Sequence, residues 1–299
     1  MGKNNYRISI MIANKDRPTE LAMLLESLYF QTYQDFDITI LDDGSGTQLQ
    51  SYYFLTYMIQ RLKIQGHNVR ILRNNIPVGV SKARQQLVNF EMKYSKNELY
   101  CRIDDDSVCK EDMLEKLVEG IKEYDLVGCI VSLLVGPEML RETRFVEPII
   151  GECRFNNKGK LIMNHDDCGY NYLEEKLIPT HHFRSSCLYK KELHEKGVNY
   201  NSRLSKNGFR EEQIFSFKAI LKGFKLAIHT GAICYHLATP SGGERDTMDM
   251  TQFNQQIFEE TAKKMYDEHG DFLHNYNKKL GLKEKEYSEL ELKKKTNLV

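Results

Sequence analysis

Strand-like and helix-like patterns alternate from the N-terminus to about residue 135 of this 299-residue chain. Apolar runs rich in β-formers predict strands at residues 8–12, 37–41, 69–72, 99–103 and 126–135. Leucines and other apolar residues at helical spacing predict helices between those runs, the first of them opened by Pro18. Alternation of this kind is typical of a mostly parallel sheet with right-handed crossovers and helices on its faces. The predicted fold class is therefore α/β.

Acidic residues follow two of the predicted strands. Asp42 and Asp43 end the second, and Asp104, Asp105 and Asp106 end the fourth. Ligands of such sheets bind outside the carboxyl ends of the strands, so we expect both groups on one rim. Three adjacent carboxylates repel one another, and a divalent cation such as Mg²⁺ or Mn²⁺ would relieve that repulsion. The pattern predicts a metal site for a phosphate-bearing substrate; the alternative is that the acids cap the following helix.

The overall composition limits the compartment and the partners. Lys and Arg total 42, as do Asp and Glu, so the chain carries no formal net charge and a broad nucleic-acid surface is not expected. Seven cysteines without a CxxC pair predict a reducing, cytoplasmic location. The longest apolar run, residues 126–136, is about half a membrane span, so we expect no transmembrane segment, although peripheral membrane contact stays open.

The second half of the chain is less regular. A hairpin is predicted at residues 148–163, around the turn Asn156-Asn157-Lys158-Gly159. Further predicted elements are a helix at 209–221, strands at 224–228 and 232–235, a mobile loop at 238–246 and a helix around 253–265. The last 20 or so residues mix Lys and Glu and predict a solvated helix or a frayed tail.

Four segments, taken in order, resemble glycosyltransferase family 2 with its GT-A fold. They are ISIMIANKDRP, SLYFQTYQDFDITILDDGS, RNNIPVGVSKARQQL and RIDDDSV. The resemblance covers residues 7–135 and, less fully, 184–237. It implies a GT-A domain over residues 1–250, with a donor half at 1–135 and a smaller, mixed acceptor half at 136–250. Residues 251–299 would form a C-terminal helical extension.

The resemblance also implies a donor and metal site. Asp106 would bind the metal, with His236 completing its shell, and the metal would be Mn²⁺ or Mg²⁺. The residues implied to contact the donor are Asn14, Arg17, Asp43, Arg84, Asp104 and Asp105. Asp43 would accept a hydrogen bond from the imide N–H of uracil or thymine. Other interpretations stay open: a plain Asx turn for Asp43, a surface ion pair for Arg84 and a structural role for His236.

The catalytic base is implied by the segment Phe209-Arg210-Glu211-Glu212-Gln213. The family usually opens a helix here with an acidic pair, whose second member deprotonates the acceptor. That member is Glu212, one methylene longer than the usual Asp, and Glu211 is its partner. The alternative is that both acids only favour a helix N-terminus. Two other clusters, His181-His182 and His165-Asp166-Asp167, lack zinc spacing, and surface loops explain them as well.

The predicted function is transfer of a sugar from a nucleotide-sugar, with inversion, to a glycan or another hydroxyl acceptor. UDP is the family's most common nucleotide. Processive members carry a Gln-x-x-Arg-Trp motif and membrane helices; this chain has no Trp, so a single transfer per binding event is expected. One rival is a sugar-phosphate nucleotidyltransferase, which would need a glycine-rich loop where residues 13–18 have none. The other is a carbohydrate- or nucleotide-binding scaffold without activity.

Overall fold

The structure, a computed structural model, describes residues 6–133, 143–144, 148–156, 159–163, 171–245 and 248–282. Its strands are β1 (Ile8–Asn14), β2 (Phe36–Asp43), β3 (Val69–Asn74), β4 (Leu99–Arg102), β5 (Ser107–Cys109), β6 (Leu126–Leu133), β7 (Thr143–Arg144), β8 (Cys153–Phe155), β9 (Leu161–Met163), β10 (Asn171–Tyr172), β11 (Leu177–Pro179), β12 (Cys187–Lys190) and β13 (Leu226–His236). Its helices are α1 (Pro18–Tyr29), α2 (Tyr53–Ile64), α3 (Val80–Tyr94), α4 (Met113–Gly120), α5 (Glu192–Glu195), α6 (Glu211–Leu221), α7 (Met248–His269) and α8 (Phe272–Lys279), with a 3₁₀ turn at Leu49–Ser51.

A nine-stranded sheet organises the chain, in the order β11, β13, β6, β12, β4, β1, β2, β3, with β5 paired to β13. Strand β1 runs parallel to β2 and β4, β2 is parallel to β3, and β13 is parallel to β6. Strand β12 lies antiparallel between β4 and β6. The α/β class and the alternation of strands and helices predicted for the first half are confirmed.

Two apolar cores lie on opposite faces of the sheet. Strand β1 shows why: Ile8, Ile10 and Ile12 belong to one core, whereas Met11 belongs to the other, as the two-residue period of a strand requires. The first core, which contains Ile8, lies under helices α1, α2 and α4. The second core, which contains Met11, lies under helices α3, α6, α7 and α8. None of the described helices is both long enough and apolar enough to cross a bilayer.

The two strands predicted at residues 224–228 and 232–235 are a single strand, β13, so that prediction is wrong. Its register with β6 shifts between His229 and Ile233. At the irregularity, the backbone amide of Thr230 donates to the carbonyl of Lys176 at 2.9 Å. A Cβ on Gly231 would lie only 2.6 Å from Glu175. Gly231 therefore allows a bulge where another segment approaches closely.

The predicted hairpin corresponds to β8 and β9, which pair antiparallel from Cys153–Met163 to Phe155–Leu161; Asn157 and Lys158 of its turn lie outside the described residues. Helices α7 and α8 follow the sheet and pack on the second core through Phe258 and Phe272. The division of the chain near residue 250 stays a prediction. Residues 283–299, predicted to be a solvated helix or a frayed tail, and residues 165–167 lie outside the described part of the chain.

His181 and His182 are fully buried, so the surface-loop interpretation is wrong for them. Nδ1 of His181 accepts a hydrogen bond from the amide of Cys153 at 2.8 Å, and Nε2 lies 2.7 Å from Oδ1 of Asn277 in α8. An acceptor at Nδ1 requires the neutral imidazole, with its proton on Nε2. Burial lowers the pKa of His181 to about 4, against the opposing effect of these hydrogen bonds. Protonation of Nδ1 would set a second N–H against the amide of Cys153, so both hydrogen bonds form together only with the neutral imidazole.

This contact predicts a specific acid sensitivity. The unfolded chain binds a proton at His181 near pH 6.5 and the folded chain only near pH 4, so the stabilisation is present above pH 6.5 and is lost as pH falls. The expected loss for this group is about 3 kcal/mol at pH 4. Urea unfolding of the wild type and of His181→Gln at pH 7 and pH 4 measures it, and the variant should lose less. The exposed His269 is the control: His269→Gln should behave as wild type. Equal losses in wild type and His181→Gln would rule out this role.

Candidate functional site

A cavity of about 360 Å³ opens at the carboxyl ends of β1, β2 and β4. All ten residues that the resemblance assigns to the donor, metal and catalytic site line it: Asn14, Arg17, Asp43, Arg84, Asp104, Asp105, Asp106, Glu211, Glu212 and His236. They come from both halves of the chain. The size is within the range of small-molecule sites.

Two aspartates and a histidine converge in this cavity. Ligand atoms of Asp104, Asp106 and His236 all lie within 4.8 Å of one another, which among the described residues marks them as a group able to hold a metal. Nε2 of His236 is 3.2 Å from Oδ1 of Asp106. The sheet explains this, because β13 pairs with β5 in a register that sets His236 opposite Ser107. Carboxylate oxygens with one imidazole suit Mn²⁺ or Mg²⁺.

The electrostatics of the group favour ionised carboxylates. Burial acts to raise the pKa of Asp104, but Arg84 and Arg102 outweigh it and hold that pKa at about 2. Burial likewise acts to lower the pKa of His236, and the carboxylate of Asp106 raises it above its usual value. Asp104 is thus a ready anionic ligand at neutral pH.

The middle aspartate has a different environment. Asp105 is buried. Its Oδ1 lies 2.8 Å from Nη1 of Arg17, and its Oδ2 accepts a hydrogen bond from the side-chain Nδ2 of Asn14 at 2.9 Å. Burial raises the pKa of Asp105 to about 7, although Arg17 acts in the opposite direction. Asp105 therefore fixes the loop after β1. Oδ1 of Asn14 is buried and finds no hydrogen-bond partner among the described residues, which leaves an unpaired acceptor on a residue that lines the cavity.

Asp43 organises the start of α3. Its carboxylate accepts hydrogen bonds from the backbone amides of Val78 and Gly79 and from the side chain of Asn74, at 2.7 to 3.1 Å. Gly79 has φ +90°, and a Cβ there would lie 2.4 Å from Cα of Lys206. The predicted contact of Asp43 with the nucleotide base would use the same carboxylate oxygens that accept these hydrogen bonds from the loop.

Arg84 links the two halves of the site. Its guanidinium contacts Asp104 through Nη2 and Glu211 through Nη1. All three side chains are largely withdrawn from solvent, with Glu211 2% exposed. The interpretation of Arg84 as a surface ion-pair partner is therefore wrong. Its ion pairs are buried, and they join the aspartate cluster to the first turn of α6.

We expect Arg84→Met to destabilise the fold by about 3–5 kcal/mol, because it leaves Glu211 buried without its cation. The free energy of unfolding in urea measures this loss. The double variant Arg84→Met/Glu211→Met, which removes both charges, should recover much of the loss. Arg203→Met is the control, since the ion pair of Arg203 among the described residues is an exposed one with Glu260, and this variant should change stability by less than about 1 kcal/mol. A double variant no more stable than Arg84→Met would contradict this interpretation.

Helix α6 is opened by an unusual residue. Arg210, its N-cap, has φ +74°, which side chains other than glycine rarely adopt. Nε of Arg210 donates to Gln255 at 2.8 Å, and the guanidinium lies 4.5 Å from the ring of Phe209, so contacts with α7 and the preceding loop hold it. The helix then presents two neighbouring acids differently: Glu211 is buried against Arg84, while Glu212 is partly exposed in the cavity. Sequence alone gave no signal for this conformation.

The loop after β13 lies against the β1–α1 loop. Nζ of Lys15 is 2.7 Å from Glu244, and Nε of Arg17 donates to the carbonyl of Ser241 at 3.2 Å. The amide of Gly243 also donates to the carbonyl of Lys15 at 2.8 Å. The sequence predicts the loop at 238–246 but carries no signal for the contact of Lys15 with Glu244, an opposite-charge pair 229 residues apart. Asp246 lies outside the described residues.

The capping alternative for the three aspartates does not fit the structure. Helix α4 begins only at Met113, after strand β5, and its N-cap is Asp112, whose side chain makes no capping hydrogen bond. The cluster therefore sits at the cavity and not at a helix N-terminus.

Comparison with known sequences identifies relatives. A model of glycosyl transferase family 2 matches residues 9–197. The glycosyltransferase GlyG of Streptococcus pneumoniae serotype 4 is 26% identical over 118 residues, 40% of this chain and 36% of GlyG. An uncharacterized glycosyltransferase of Haemophilus influenzae is 29% identical over 126 residues, 41% of this chain and 37% of the relative. The matches thus span little more than a third of either curated relative.

Solved structures share the fold. GalNAc-T7, solved with UDP, GalNAc and Mn²⁺, superposes with a TM-score of 0.62 at 14% identity, covering 92% of this chain and 55% of that one. Residues 1–349 of Staphylococcus aureus TarS, in complex with UDP-GlcNAc, give a TM-score of 0.55 at 13% identity, covering 87% and 73%. At these identities the likeness establishes the fold, which is the GT-A fold predicted from the sequence.

Proposed function

Because this chain belongs to glycosyl transferase family 2, we propose that it transfers a sugar from a nucleotide-sugar to a hydroxyl acceptor with the help of a divalent cation. The transfer inverts the anomeric centre and adds one sugar per binding event. UDP is the proposed nucleotide, a choice supported by the solved relatives that carry UDP or UDP-GlcNAc. The acceptor is proposed to be a glycan or another hydroxyl compound, and the location cytoplasmic.

One observation carries the proposal. Asp104, Asp106 and His236, suited to a cation, share a single cavity with the partly exposed Glu212, suited to a base. A cation site beside an available carboxylate meets both needs of the reaction, stabilisation of a departing diphosphate and removal of a proton from the acceptor.

The residues at the cation site fit Mn²⁺ or Mg²⁺ by their chemistry, two hard carboxylates and one imidazole. When bound there, the cation acts as a Lewis acid that neutralises charge on the leaving diphosphate. Arg84 keeps Asp104 ionised and in place, and Asp105 orients Arg17 and Asn14. The unpartnered Oδ1 of Asn14 is available to a hydroxyl or an N–H of the nucleoside.

Glu212 is the proposed base. It takes the proton of the acceptor hydroxyl as that oxygen attacks the anomeric carbon on the face opposite the diphosphate. Its neighbour Glu211 is occupied by Arg84, so the two members of the acidic pair divide into a base and a positioning residue. The loop at 238–245, held by Lys15 and Arg17, lines the cavity, and by closing over the donor it would limit access of water.

Thermal unfolding with nucleoside diphosphates tests the donor and the cation together. UDP with Mn²⁺ should raise Tm by about 5 °C at a hundredfold excess over Kd, because the ligand binds only the folded state. UDP alone should raise Tm less, and ADP with Mn²⁺ serves as the control nucleotide.

Enzymatic release of UDP from UDP-sugars separates the activity from binding alone. A protein stabilised by UDP and Mn²⁺ that frees no UDP from any donor, with any acceptor, would be a binding scaffold. No shift with any nucleotide, with or without metal, would overturn the proposed function.

A further inference from the structure

Helix α2 is apolar on both of its sides. Leu55 and Leu62 are buried in the first core. On the outer side, Tyr53, Tyr57 and Ile64 are 81%, 62% and 86% exposed. Their spacing of four and seven residues places them in one stripe along the helix. The inner side accounts for the packing of α2, so the outer stripe needs another explanation.

The stripe adjoins a groove between α1 and α2. The groove has a volume of about 580 Å³, and its lining includes Met23 of α1, Phe30 at the C-cap of α1 and Phe54 of α2, which are 45%, 59% and 44% exposed. Together these side chains form what we call the α1–α2 patch: Met23, Phe30, Tyr53, Phe54, Tyr57 and Ile64. It holds half of the large apolar side chains that are exposed in the described part of the chain.

The charge around the patch is unusual. From residue 44 to residue 90 the sequence contains no Asp or Glu, although the whole chain has 42 of them. Arg61 and Lys63 lie on α2 and are exposed. Glu26 is the acidic residue that lines the groove, and its charge attracts that of Arg61. Helix α2 thus combines aromatic and cationic side chains without an acidic one.

Helices that bind at the membrane interface typically carry three kinds of side chain: aromatic ones with a polar tip, apolar ones and cationic ones. A cationic border adds attraction to anionic lipids. From this charge complementarity we propose that the α1–α2 patch docks the protein on the surface of an anionic lipid bilayer. The docking is independent of the proposed transfer chemistry, because none of the patch residues lines the catalytic cavity.

Co-sedimentation of the full chain with vesicles tests this docking. The protein should bind vesicles of phosphatidylcholine with phosphatidylglycerol and not vesicles of phosphatidylcholine alone. Tyr53→Ser/Tyr57→Ser should lower the partition coefficient at least about tenfold, and Lys63→Glu about tenfold by reversing one charge. The control is Tyr94→Ser, which changes a tyrosine outside the patch that is as exposed (60%) as Tyr57 (62%) and should leave partition unchanged.

Three results would overturn the proposal: no binding to the anionic vesicles, equal binding to the neutral ones, or an equal loss in Tyr94→Ser. A fourth is a solution dimer, seen by light scattering, that Tyr53→Ser/Tyr57→Ser converts to a monomer, because the patch would then be an interface between two copies. UDP and Mn²⁺ binding, followed by thermal shift, should be the same in all these variants. Failure of docking is therefore distinguishable from failure of the proposed function.

Discussion

Asp106→Ala is expected to abolish sugar transfer, with a fall in kcat of about 10³-fold or more. Asp106 is buried, and its Oδ1 lies beside Nε2 of His236, so it is central to the proposed cation site. Loss of a metal ligand removes several kcal/mol of charge stabilisation from the transition state. The same variant should lose the Mn²⁺-dependent part of UDP binding. Release of UDP from a UDP-sugar measures the first effect, and titration calorimetry with and without Mn²⁺ measures the second.

Asp106→Asn keeps the shape of the side chain and should also be inactive, which separates lost ligation from altered packing. The control is Asp112→Asn, since Asp112 is an acid after β5 that contacts Lys110 and Lys116 outside the cavity. It should retain normal turnover. Full activity of Asp106→Asn would remove this residue from the mechanism.

Glu212→Gln is expected to lower kcat by about 10²–10⁴-fold, the usual contribution of a general base. UDP and Mn²⁺ binding should persist, because Glu212 is not among the grouped metal-ligating side chains. The adjacent Glu211→Gln is the matched variant: its main effect should be a lower Tm, since it weakens the buried contact with Arg84. Steady-state kinetics of both variants, beside their thermal unfolding, distinguish the two roles.

The length of the side chain offers a second check on the base. Glu212→Asp should keep more activity than Glu212→Gln, since the carboxylate is retained at a different reach. If Glu211→Gln proved the inactive variant and Glu212→Gln the active one, the assignment of base and positioning residue would be reversed.

The first half of the fold could be predicted because its signals are local. Strand β1 is largely apolar, strand β2 alternates Phe36, Ile38 and Ile40 with Asp37 and Thr39, and α1 carries four buried leucines at helical spacing. Strand β12 was missed because four residues, Cys-Leu-Tyr-Lys, are too few to show a period. Strand β13 was predicted as two strands because the residues of its bulge, around Gly231, interrupt the apolar pattern. In both cases tertiary pairing decided the structure.

The membership of the candidate site could also be predicted, since all ten proposed residues line one cavity. Their individual contacts could not. The carboxylate of Asp43 faces the amides of Val78 and Gly79, and Arg84 lies between Asp104 and Glu211. Such pairings depend on how distant segments meet, and a resemblance between motifs carries no information about them.

The position of β12 has a consequence for how the chain emerges from the ribosome. Strands β1 to β4 lie within the first 102 residues, but the edge of β4 away from β1 is paired, among the described strands, by β12 at Cys187–Lys190. At about 5–20 residues per second, that edge waits several seconds for its partner. An unpaired strand edge is a template for aggregation, so the nascent chain is most exposed to misassembly, or to capture by a chaperone, during this interval.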